Sequence, residues 1–591
     1  MTRVPRVLTV RGVVPLLALA LLTLALPRPA GAGHALTALD PVEIYSDGFQ
    51  DLRWIAVDPA GNVFVSDRAA GRVTRIAPDR MKTIVVSGLD RPIGLAFDLT
   101  GRLLIAEERA ARVVRLEPGG TLTPLVTGIK QPRWLAVRED GTLYIAARRL
   151  TRGTDPEPDD ESAEPEVILA LTPAGQLSVF ADGFRRLQGL AVTTDTLFAA
   201  TRGRQGEPQA DGVVYRIPLL ADGTAGPAST PWPRDAFKKP VGLARDRLGA
   251  LWLTTKELEL EEDESKRAVA KLHPGGAVTL FAENLARPQG LGFDATGNLY
   301  VADGSSGRVL RFLAPGAPVV TSPLFTSQSP LALTGTTAPG ARLDVFVDDA
   351  PTPITVTADA TGAFTASVPL TPNAATTLAV FATTHGGQGL SSVPAEVTVI
   401  HDDQAPALVF QAPPALAHVR QSVGVQAQAT DAGSQVASLA LTVDGQSLTA
   451  TVAPPPPAPS VSAAATWDTT TVGDGSHTLG ATATDQAGNT ASTTRVVIVD
   501  NTPPETVLTS APPGEIATAE ATLSVKSPVV GTAKTTLALS RVVVTASGPV
   551  VAPTGTVVVS WVALMVRTTA ARALKVTVVA PGSKLVPVIV T

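Results

Sequence analysis

The stretch RPIGLAFDLTGRLLIAE, which spans residues 91–107, decides the fold of this chain. PIGLAF reads as a short apolar strand, and DLTG reads as a tight turn in which Gly101 takes a positive φ without a Cβ clash. LLIAE reads as a second strand, and RVVRL and TPLVTGI follow as a third and a fourth. The stretch and its continuation therefore predict one four-stranded sheet.

Five further segments align with this one along the first half of the chain. They share an apolar residue in the first strand, and its spacings are 40, 40, 55, 53 and 48 residues. A period of roughly 40–50 residues is that of a propeller blade. The aligned residues are Ile55, Leu95, Leu135, Leu190, Leu243 and Leu291.

The last repeat has no clear fourth strand of its own. VEIYSDGF (Val42–Phe49), which stands before the first repeat, has the pattern of such a strand. We therefore predict that it completes the last blade and closes the ring, because closure leaves no bare strand edge. An open array of six hairpins is the alternative, and it would leave those edges exposed.

The shared pattern P-x-G-L-A-x-D-x-x-G-x-L-Y-V-A-D, followed by G-R-V-x-R, resembles the NHL repeat family. It is also similar to the six-bladed group that contains gluconolactonases and virginiamycin B lyases. The resemblance covers about residues 41–315. It implies a six-bladed propeller with its ligand site at one end of the central channel. It is weak evidence for any one activity, because such propellers serve many purposes.

The character of the chain changes after Pro315, where basic and aromatic residues thin out and Thr, Ala, Val and Pro rise. Short alternating strands and the run DGSHTL followed by DQAGN resemble bacterial immunoglobulin-like modules. The expected fold class is all-β, a six-bladed β-propeller followed by two or three Ig-like β-sandwich domains. The predicted boundaries are 41–320 for the propeller, 321–402 and 403–503 for two sandwiches, and 504–591 for a β-rich segment of undecided nature.

The first 32 residues have the pattern of a signal peptide. Arg3, Arg6 and Arg11 precede an apolar run, and Ala30-Gly31-Ala32 offers small residues at a cleavage point. An uncleaved membrane anchor is the alternative, but the run is shorter than the roughly 20 residues of a spanning helix. We therefore expect an exported protein, secreted or in the cell envelope of a bacterium, that does not span the membrane after cleavage.

Composition excludes several classes of function. The chain has no cysteine, which rules out disulfides, thiolate metal sites and cysteine nucleophiles. The net charge of −5 provides no basic field, and no nucleic-acid-binding module stands out. The oligomeric state is not readable from the sequence.

Candidate ligand-binding residues lie where the second strands of the repeats end, at one mouth of the channel. They are acidic on blades 1, 2 and 6 and basic on blades 3, 4 and 5, so the mouth suits a polar or zwitterionic ligand unless its charges pair internally. The six residues are Asp67, Glu107, Arg148, Arg202, Lys256 and Asp303.

Metal binding is the second possibility at this mouth. Gluconolactonases hold a divalent metal with a Glu, an Asn and an Asp, so the resemblance implies Asp67, Glu107 and Asp303 as carboxylate ligands. Calcium would also suit two acidic insertions, Asp155–Glu166 and Glu257–Glu264, although neither has the spacing of a calcium loop. A solvated acidic loop is the other interpretation of each insertion.

Catalytic groups are scarce in the first half. Its repeats contain one histidine, His273, in a turn, and the middle blades have no Asn on an inner or second strand. No Ser-His-Asp arrangement stands out. The sequence therefore favours a non-catalytic binding protein that recognises a protein or glycan, with the sandwiches as spacers. A metal-dependent hydrolase or lyase and a multimerising envelope protein remain the alternatives.

Overall fold

The computed structural model describes residues 35–150, 165–207, 211–232, 236–258 and 266–503, together with short strands between 505 and 590. The predicted signal peptide lies outside the described residues, as do residues 155–164 and 259–264 of the two acidic insertions. Within the described residues, no helix is both long and apolar enough to cross a membrane.

Six antiparallel sheets occupy the described residues between 37 and 312. Their innermost strands contact one another in cyclic order, from the first sheet to the sixth and back to the first. This is the arrangement of a β-propeller, so the predicted fold of the first half is confirmed. In order from the innermost strand outward, the blades are Leu52–Val57, Val63–Asp67, Arg72–Ile76 and Lys82–Ser87 (blade 1); Pro92–Phe97, Leu103–Glu107, Arg112–Leu116 and Leu122–Thr127 (blade 2); Trp134–Val137, Leu143–Ala147, Glu166–Leu171 and Leu177–Phe184 (blade 3); Leu190–Val192, Thr196–Thr201 and Val213–Pro218 (blade 4); Lys238–Arg245, Leu251–Leu258, Lys266–Leu272 and Val278–Glu283 (blade 5); and Pro288–Phe293, Leu299–Asp303, Arg308–Phe312 and Val42–Ser46 (blade 6).

The ring closes through the N-terminal strands. Val42–Ser46 pairs with Arg308–Phe312 of blade 6, as the sequence predicted. A second strand, Thr37–Ala38, pairs with Val278–Glu283 and adds a fifth strand to blade 5, which the sequence did not predict. A further short pair, Ile129–Lys130 with Arg149–Leu150, lies beside blade 3.

Two indole rings fill the central channel. Trp54 of blade 1 and Trp134 of blade 3 lie with their ring centroids 4.8 Å apart, although blade 2 stands between their blades. Side chains of non-neighbouring blades can meet in this way only inside the channel. Blade 6 has Gly290 at the aligned position, and a Cβ there would lie 2.6 Å from the Trp54 ring. Trp54 comes two residues after the start of its inner strand and Trp134 is the first residue of its own, so the two rings form a floor close to the mouth.

Two β-sandwiches follow the propeller, as predicted, and each buries its own apolar core. In both, a two-residue strand pairs in parallel with the last long strand. The first consists of Val319–Val320, Leu331–Thr336 and Ala363–Val368 in one sheet, and Phe325–Thr326, Ala395–His401, Ala375–Thr383, Arg342–Val347 and Ile354–Thr357 in the other, with one helical turn at Thr384–Gly387. The second consists of Ala407–Ala412, Ser422–Thr430, Ser460–Asp468 and Ala450–Ala453 in one sheet, and His418–Val419, Thr490–Val499, Gly475–Asp485, Val436–Val443 and Gln446–Leu448 in the other, with a 3-10 turn at Thr469–Thr471.

The segment predicted as β-rich without a settled nature contains strands where the structure describes it. Glu505–Leu508, Ala519–Ser527 and Gly531–Leu539 form one sheet, and Leu574–Thr577 pairs with Pro587–Val590. The rest of residues 504–591 lies outside the described residues.

The first sandwich docks onto the propeller through a buried lysine. Lys271 of blade 5 donates from Nζ to the carbonyl oxygens of Gly387 (3.0 Å) and Gly389 (2.9 Å) in the first sandwich. Asp40, in the N-terminal segment, accepts from the Leu390 N–H at 2.7 Å. Because the Leu390 side chain is also buried in the apolar core of blades 5 and 6, the two units share one continuous contact.

A histidine of the second sandwich gives a test of local pH dependence. His477 contacts Asp444 Oδ2 through Nδ1 at 2.6 Å and the Gly473 carbonyl through Nε2 at 2.7 Å. The hydrogen bond to Asp444 is the main cause that raises the pKa of His477 above its ordinary value. The pair therefore stabilises the fold fully below about pH 6.5, and this contribution is lost as pH rises through the folded pKa.

We expect NMR titration of the full chain to show the His477 pKa raised, and Asp444→Asn to return it toward the ordinary histidine value. His273 is the internal control, because burial, with the Lys271 charge next, lowers its pKa. Since the pair lies at the surface, its loss should change the free energy of unfolding by at most about 1 kcal/mol. A His477 pKa that Asp444→Asn leaves unchanged would contradict the assignment.

Candidate binding site at the propeller mouth

The mouth is the end of the channel where the second strands of the blades end and the inner strands begin. Asp67 is the last residue of a second strand and is fully buried. Its carboxylate accepts the backbone N–H groups of Gln50 (3.0 Å), Asp51 (3.0 Å) and Ala70 (3.3 Å). Asp67 thus fixes the loop that enters the inner strand of its own blade.

Glu107 and Asp303 do the same work in blades 2 and 6. Glu107 accepts the Asp90 N–H at 2.9 Å and Arg112 Nε at 2.6 Å. Asp303 accepts the N–H groups of Ala286 (3.2 Å) and Arg287 (2.5 Å) and the Ser306 hydroxyl (2.7 Å). Both carboxylates are buried. All three acids therefore hold loops in place.

These hydrogen bonds bear on the three carboxylates that the sequence offered as metal ligands. Within the described residues, the one group of three acidic side chains with ligand atoms within 4.8 Å of one another lies in the sandwich region, and Asp67, Glu107 and Asp303 do not form such a group. Each points into the entry loop of its own blade, which separates the three around the ring. The acidic insertions, which were the other candidates for calcium, lie mostly outside the described residues.

The six predicted mouth residues do not all occupy the same position on their second strands; they fall into two sets that are shifted by one residue. Pro92 pairs with Glu107 and Pro288 pairs with Asp303, and the corresponding partner of Pro240 is Thr255. Lys256 is therefore one residue beyond the position of the buried acids. Because neighbouring side chains on a strand point to opposite faces, the two registers have different surroundings. Arg148 and Arg202 are shifted in the same way, and their counterparts on blades 1 and 2 are Arg68 and Glu108.

The rim of blades 1 and 6 is held by an arginine cluster around Asp51. Its carboxylate contacts Arg53 (3.1 Å), Arg68 (2.7 Å) and Arg287. Burial raises the pKa of Asp51, but the charge of Arg53 and the hydrogen bond from Arg68 outweigh it, so that pKa is lowered overall. Arg53 also donates to Gln289 Oε1 at 3.2 Å. One carboxylate therefore serves three guanidinium groups.

A second network spans blades 2 and 3. Arg133 contacts Glu108 at 3.0 Å and Glu166 at 3.4 Å, and Arg68 reaches Glu108 at 4.0 Å. Glu166 also accepts the Leu187 N–H of blade 4. Burial is the main influence on Glu166 and raises the pKa of its carboxyl. The charges on this side of the mouth are therefore paired with one another, through residues that were not among the six candidates.

Two cations on blades 4 and 5 are left over. The side chains of Arg202 and Lys256 make no ion pair or hydrogen bond in the described part of the chain. Burial, followed by the charges of Arg287, Arg53, Arg202 and Lys239, lowers the pKa of Lys256. Among the described residues, one side of the mouth therefore has an excess of positive charge.

An open groove of about 590 Å³ runs outward from the mouth between blades 1 and 2. Asp51, Arg68, Asp90, Arg91 and Arg109 are among its lining residues. It extends the surface that a ligand at the mouth could contact.

Sequence reasoning missed the residues at the start of the inner strands. Arg53, Arg133 and Gln289 precede the Trp or Gly of the aligned patterns RWI, RWL and QGL. Gln188 has the same position in blade 4. These residues would have been found by aligning the first residues of the inner strands, where every second side chain faces the channel, instead of the ends of the second strands.

Three buried aspartates of the sandwich region could hold a metal ion by proximity alone: Asp402, Asp431 and Asp485. Asp402 accepts the N–H and hydroxyl of Ser434 at 2.8 and 2.7 Å, and Asp485 accepts both the N–H and the amide of Asn489 at 2.8 Å. These bonds tie the linker between the two sandwiches to the turns of the second. They give the three carboxylates a structural role.

Comparison with known proteins agrees with the division of the chain into a propeller and Ig-like sandwiches. Residues 406–481 match the family model of the bacterial Ig domain. No curated protein sequence matches the chain significantly.

Solved structures resemble less than half of the chain. A gluconolactonase from Xanthomonas campestris is 18% identical, with 46% of this chain and 90% of that chain covered and a TM-score of 0.38. Virginiamycin B lyase from Staphylococcus aureus is 14% identical, with 47% and 99% covered and a TM-score of 0.32. An auxiliary nutrient binding protein from Bacteroides ovatus is 10% identical, with 47% and 76% covered and a TM-score of 0.35.

Proposed function

We propose that this chain is an exported binding protein whose propeller mouth recognises a glycan or a protein segment, with the sandwiches as spacers. The observation that supports this most is the use of the mouth carboxylates. Asp67, Glu107 and Asp303 hold backbone N–H groups, and Asp51, Glu108 and Glu166 hold arginines. A hydrolytic site would need such groups free to bind a metal or to exchange a proton.

The position of the histidine supports the same proposal. His273 lies in the turn after the third strand of blade 5, where its carbonyl accepts the Gly276 N–H at 3.0 Å and Nε2 contacts Thr279 at 2.9 Å. It is not among the residues of the mouth. Recognition needs no such group, because a rigid rim of fixed charges above an indole floor is preorganised for binding.

The experiment compares binding with turnover in the full chain. We expect the chain to bind members of a glycan or peptide array, and the triple variant Gln188→Ala, Arg202→Ala and Lys256→Ala to lose that binding. These side chains make no hydrogen bond or ion pair in the described residues, so the variant should fold. Arg245→Ala, at the far end of an inner strand, is the matched control.

Turnover is measured on gluconolactone with Ca²⁺, Mg²⁺ or Zn²⁺ present. We expect no hydrolysis above the uncatalysed rate. Metal-dependent hydrolysis that EDTA abolishes would overturn the proposal in favour of a lactonase, and array binding that the triple variant retains would move the site away from the mouth.

A further inference from the structure

The unpaired polar atoms of the mouth are almost all donors. Arg53 Nε, Arg287 Nε and Trp134 Nε1 are buried N–H groups without an acceptor in the described residues. The exception is Glu108 Oε2, which still has the Arg68 charge at 4.0 Å. Buried donors without partners are costly and rare in folded proteins, so a group of them on one surface requires an explanation.

The unpaired charges of the mouth have the same sign. Arg202 directly follows the second strand of blade 4, and Lys256 lies two residues before the end of the second strand of the neighbouring blade 5. Lys256 feels the charges of Arg53, Arg202 and Arg287 as well as that of Lys239. Glu257, the described acid next to Lys256 in the sequence, is already paired with Lys239. A negative ligand would relieve this repulsion, and a positive ligand would add to it.

The shape of the mouth restricts the size of that ligand. The Trp54 and Trp134 rings meet inside the ring of inner strands near the start of those strands, which limits the depth of the mouth. A mouth of this depth admits one charged group with its immediate surroundings. Beside the cations, the half-buried Gln188 has an amide that makes no hydrogen bond in the described residues. An amide both donates and accepts, as the hydroxyl groups of a sugar require.

We propose that the mouth binds the anionic group of an acidic saccharide, a uronate carboxylate or a sulfate ester, between Lys256 and Arg202. This inference rests on the proposed function and names the ligand class of the same site. The anion accepts from the two cations, and the sugar hydroxyls next to it meet Gln188. An acidic peptide carries methylene groups at that point and leaves the amide unpaired.

The test is calorimetric titration of the full chain with four probes: tetragalacturonate, a sulfated disaccharide, neutral maltotetraose and tetraglutamate. We expect one of the two acidic saccharides to bind, and maltotetraose not to bind. Lys256→Gln and Arg202→Gln should each weaken the affinity by about tenfold or more, since each removes a charge-assisted hydrogen bond. Lys256→Arg should stay within about threefold, because it keeps the charge. Arg245→Gln, at the other end of the inner strand of blade 5, should have no effect.

The outcomes separate this inference from the proposed function. Equal binding of tetraglutamate, with the same dependence on Lys256, would assign the site to an acidic peptide and overturn the saccharide. Binding that Lys256→Gln and Arg245→Gln weaken equally would show a non-specific charge effect and overturn the inference. If array ligands bind at the mouth while both acidic saccharides fail, the inference is wrong and the proposed function stands. If nothing binds in either experiment, both are wrong.

Discussion

Replacing Lys271 with methionine should lower the free energy of unfolding of the propeller and first sandwich by about 3–5 kcal/mol. The lysine side chain is only 5% exposed and lies 4.0 Å from Asp246 Oδ2. Burial, which is the main influence, lowers the pKa of Lys271. Methionine fills a similar volume but leaves a buried aspartate without its cation and the carbonyls of Gly387 and Gly389 without a donor.

Differential scanning calorimetry of the full chain measures this prediction. We expect the transition of the propeller to fall and to separate from that of the first sandwich, because Lys271 bonds the two units directly. Lys82→Met is the control, since this lysine is exposed, donates to the Asp47 carbonyl and lies over the Phe49 ring, and it should cost about 1 kcal/mol or less. A Lys271→Met cost equal to that of the control would mean that the buried contact contributes nothing.

The second large effect is expected at Asp67, where alanine should destabilise the fold by about 3 kcal/mol. The substitution leaves the N–H groups of Gln50, Asp51 and Ala70 without their acceptor, and each buried unsatisfied donor costs about 1–3 kcal/mol. Asp67→Asn should lower the stability less than Asp67→Ala, because the amide oxygen of asparagine can still accept some of these hydrogen bonds.

Thermal melts with Ca²⁺, Mg²⁺ or Zn²⁺ against EDTA distinguish this structural role from metal binding. We expect the Asp67→Ala loss to be the same in all of them. Asp79→Ala, at an exposed acid that accepts only the Met81 N–H, should change the melting temperature little. A metal-dependent stabilisation that Asp67→Ala removes would restore Asp67 as a metal ligand.

Local pattern was enough to predict the blades and the closure of the ring. The alternation of VEIYSDGF and the missing last strand placed Val42–Ser46 in blade 6, and the structure confirms that pairing. The two-residue strand Thr37–Ala38 could not be predicted, because two residues carry no alternation. The contact of Lys271 with the first sandwich could not be predicted either, since its partners lie 116 and 118 residues further along the chain.

The six candidate site residues were chosen at one end of the channel, and the structure shows that they mix two strand registers. A shift of one residue along a strand moves a side chain from one face of the sheet to the other. The six residues chosen at the ends of the second strands therefore include both buried carboxylates that hold loops and an exposed cation. Asp67 and Lys256 illustrate the two results, one fully buried and the other exposed. The pairing of Pro240 with Thr255 shows that Lys256 is one residue beyond the position of the buried acids, and this pairing is visible only in the three-dimensional structure.

The double use of the N-terminal segment determines the order in which the chain can fold during synthesis. Residues 37–46 complete blades 5 and 6, whose own strands end at residues 283 and 312, and Asp40 then bonds Leu390 of the first sandwich. A segment made first must therefore wait until nearly the whole of both units has left the ribosome. The closing contacts span about 250–350 residues, but the entropy of such a loop grows only logarithmically with its length. The delay matters more than this entropy, because the strand edges that residues 37–46 will cover stay unpaired until then. Blade 6 is therefore the place where aggregation competes with folding.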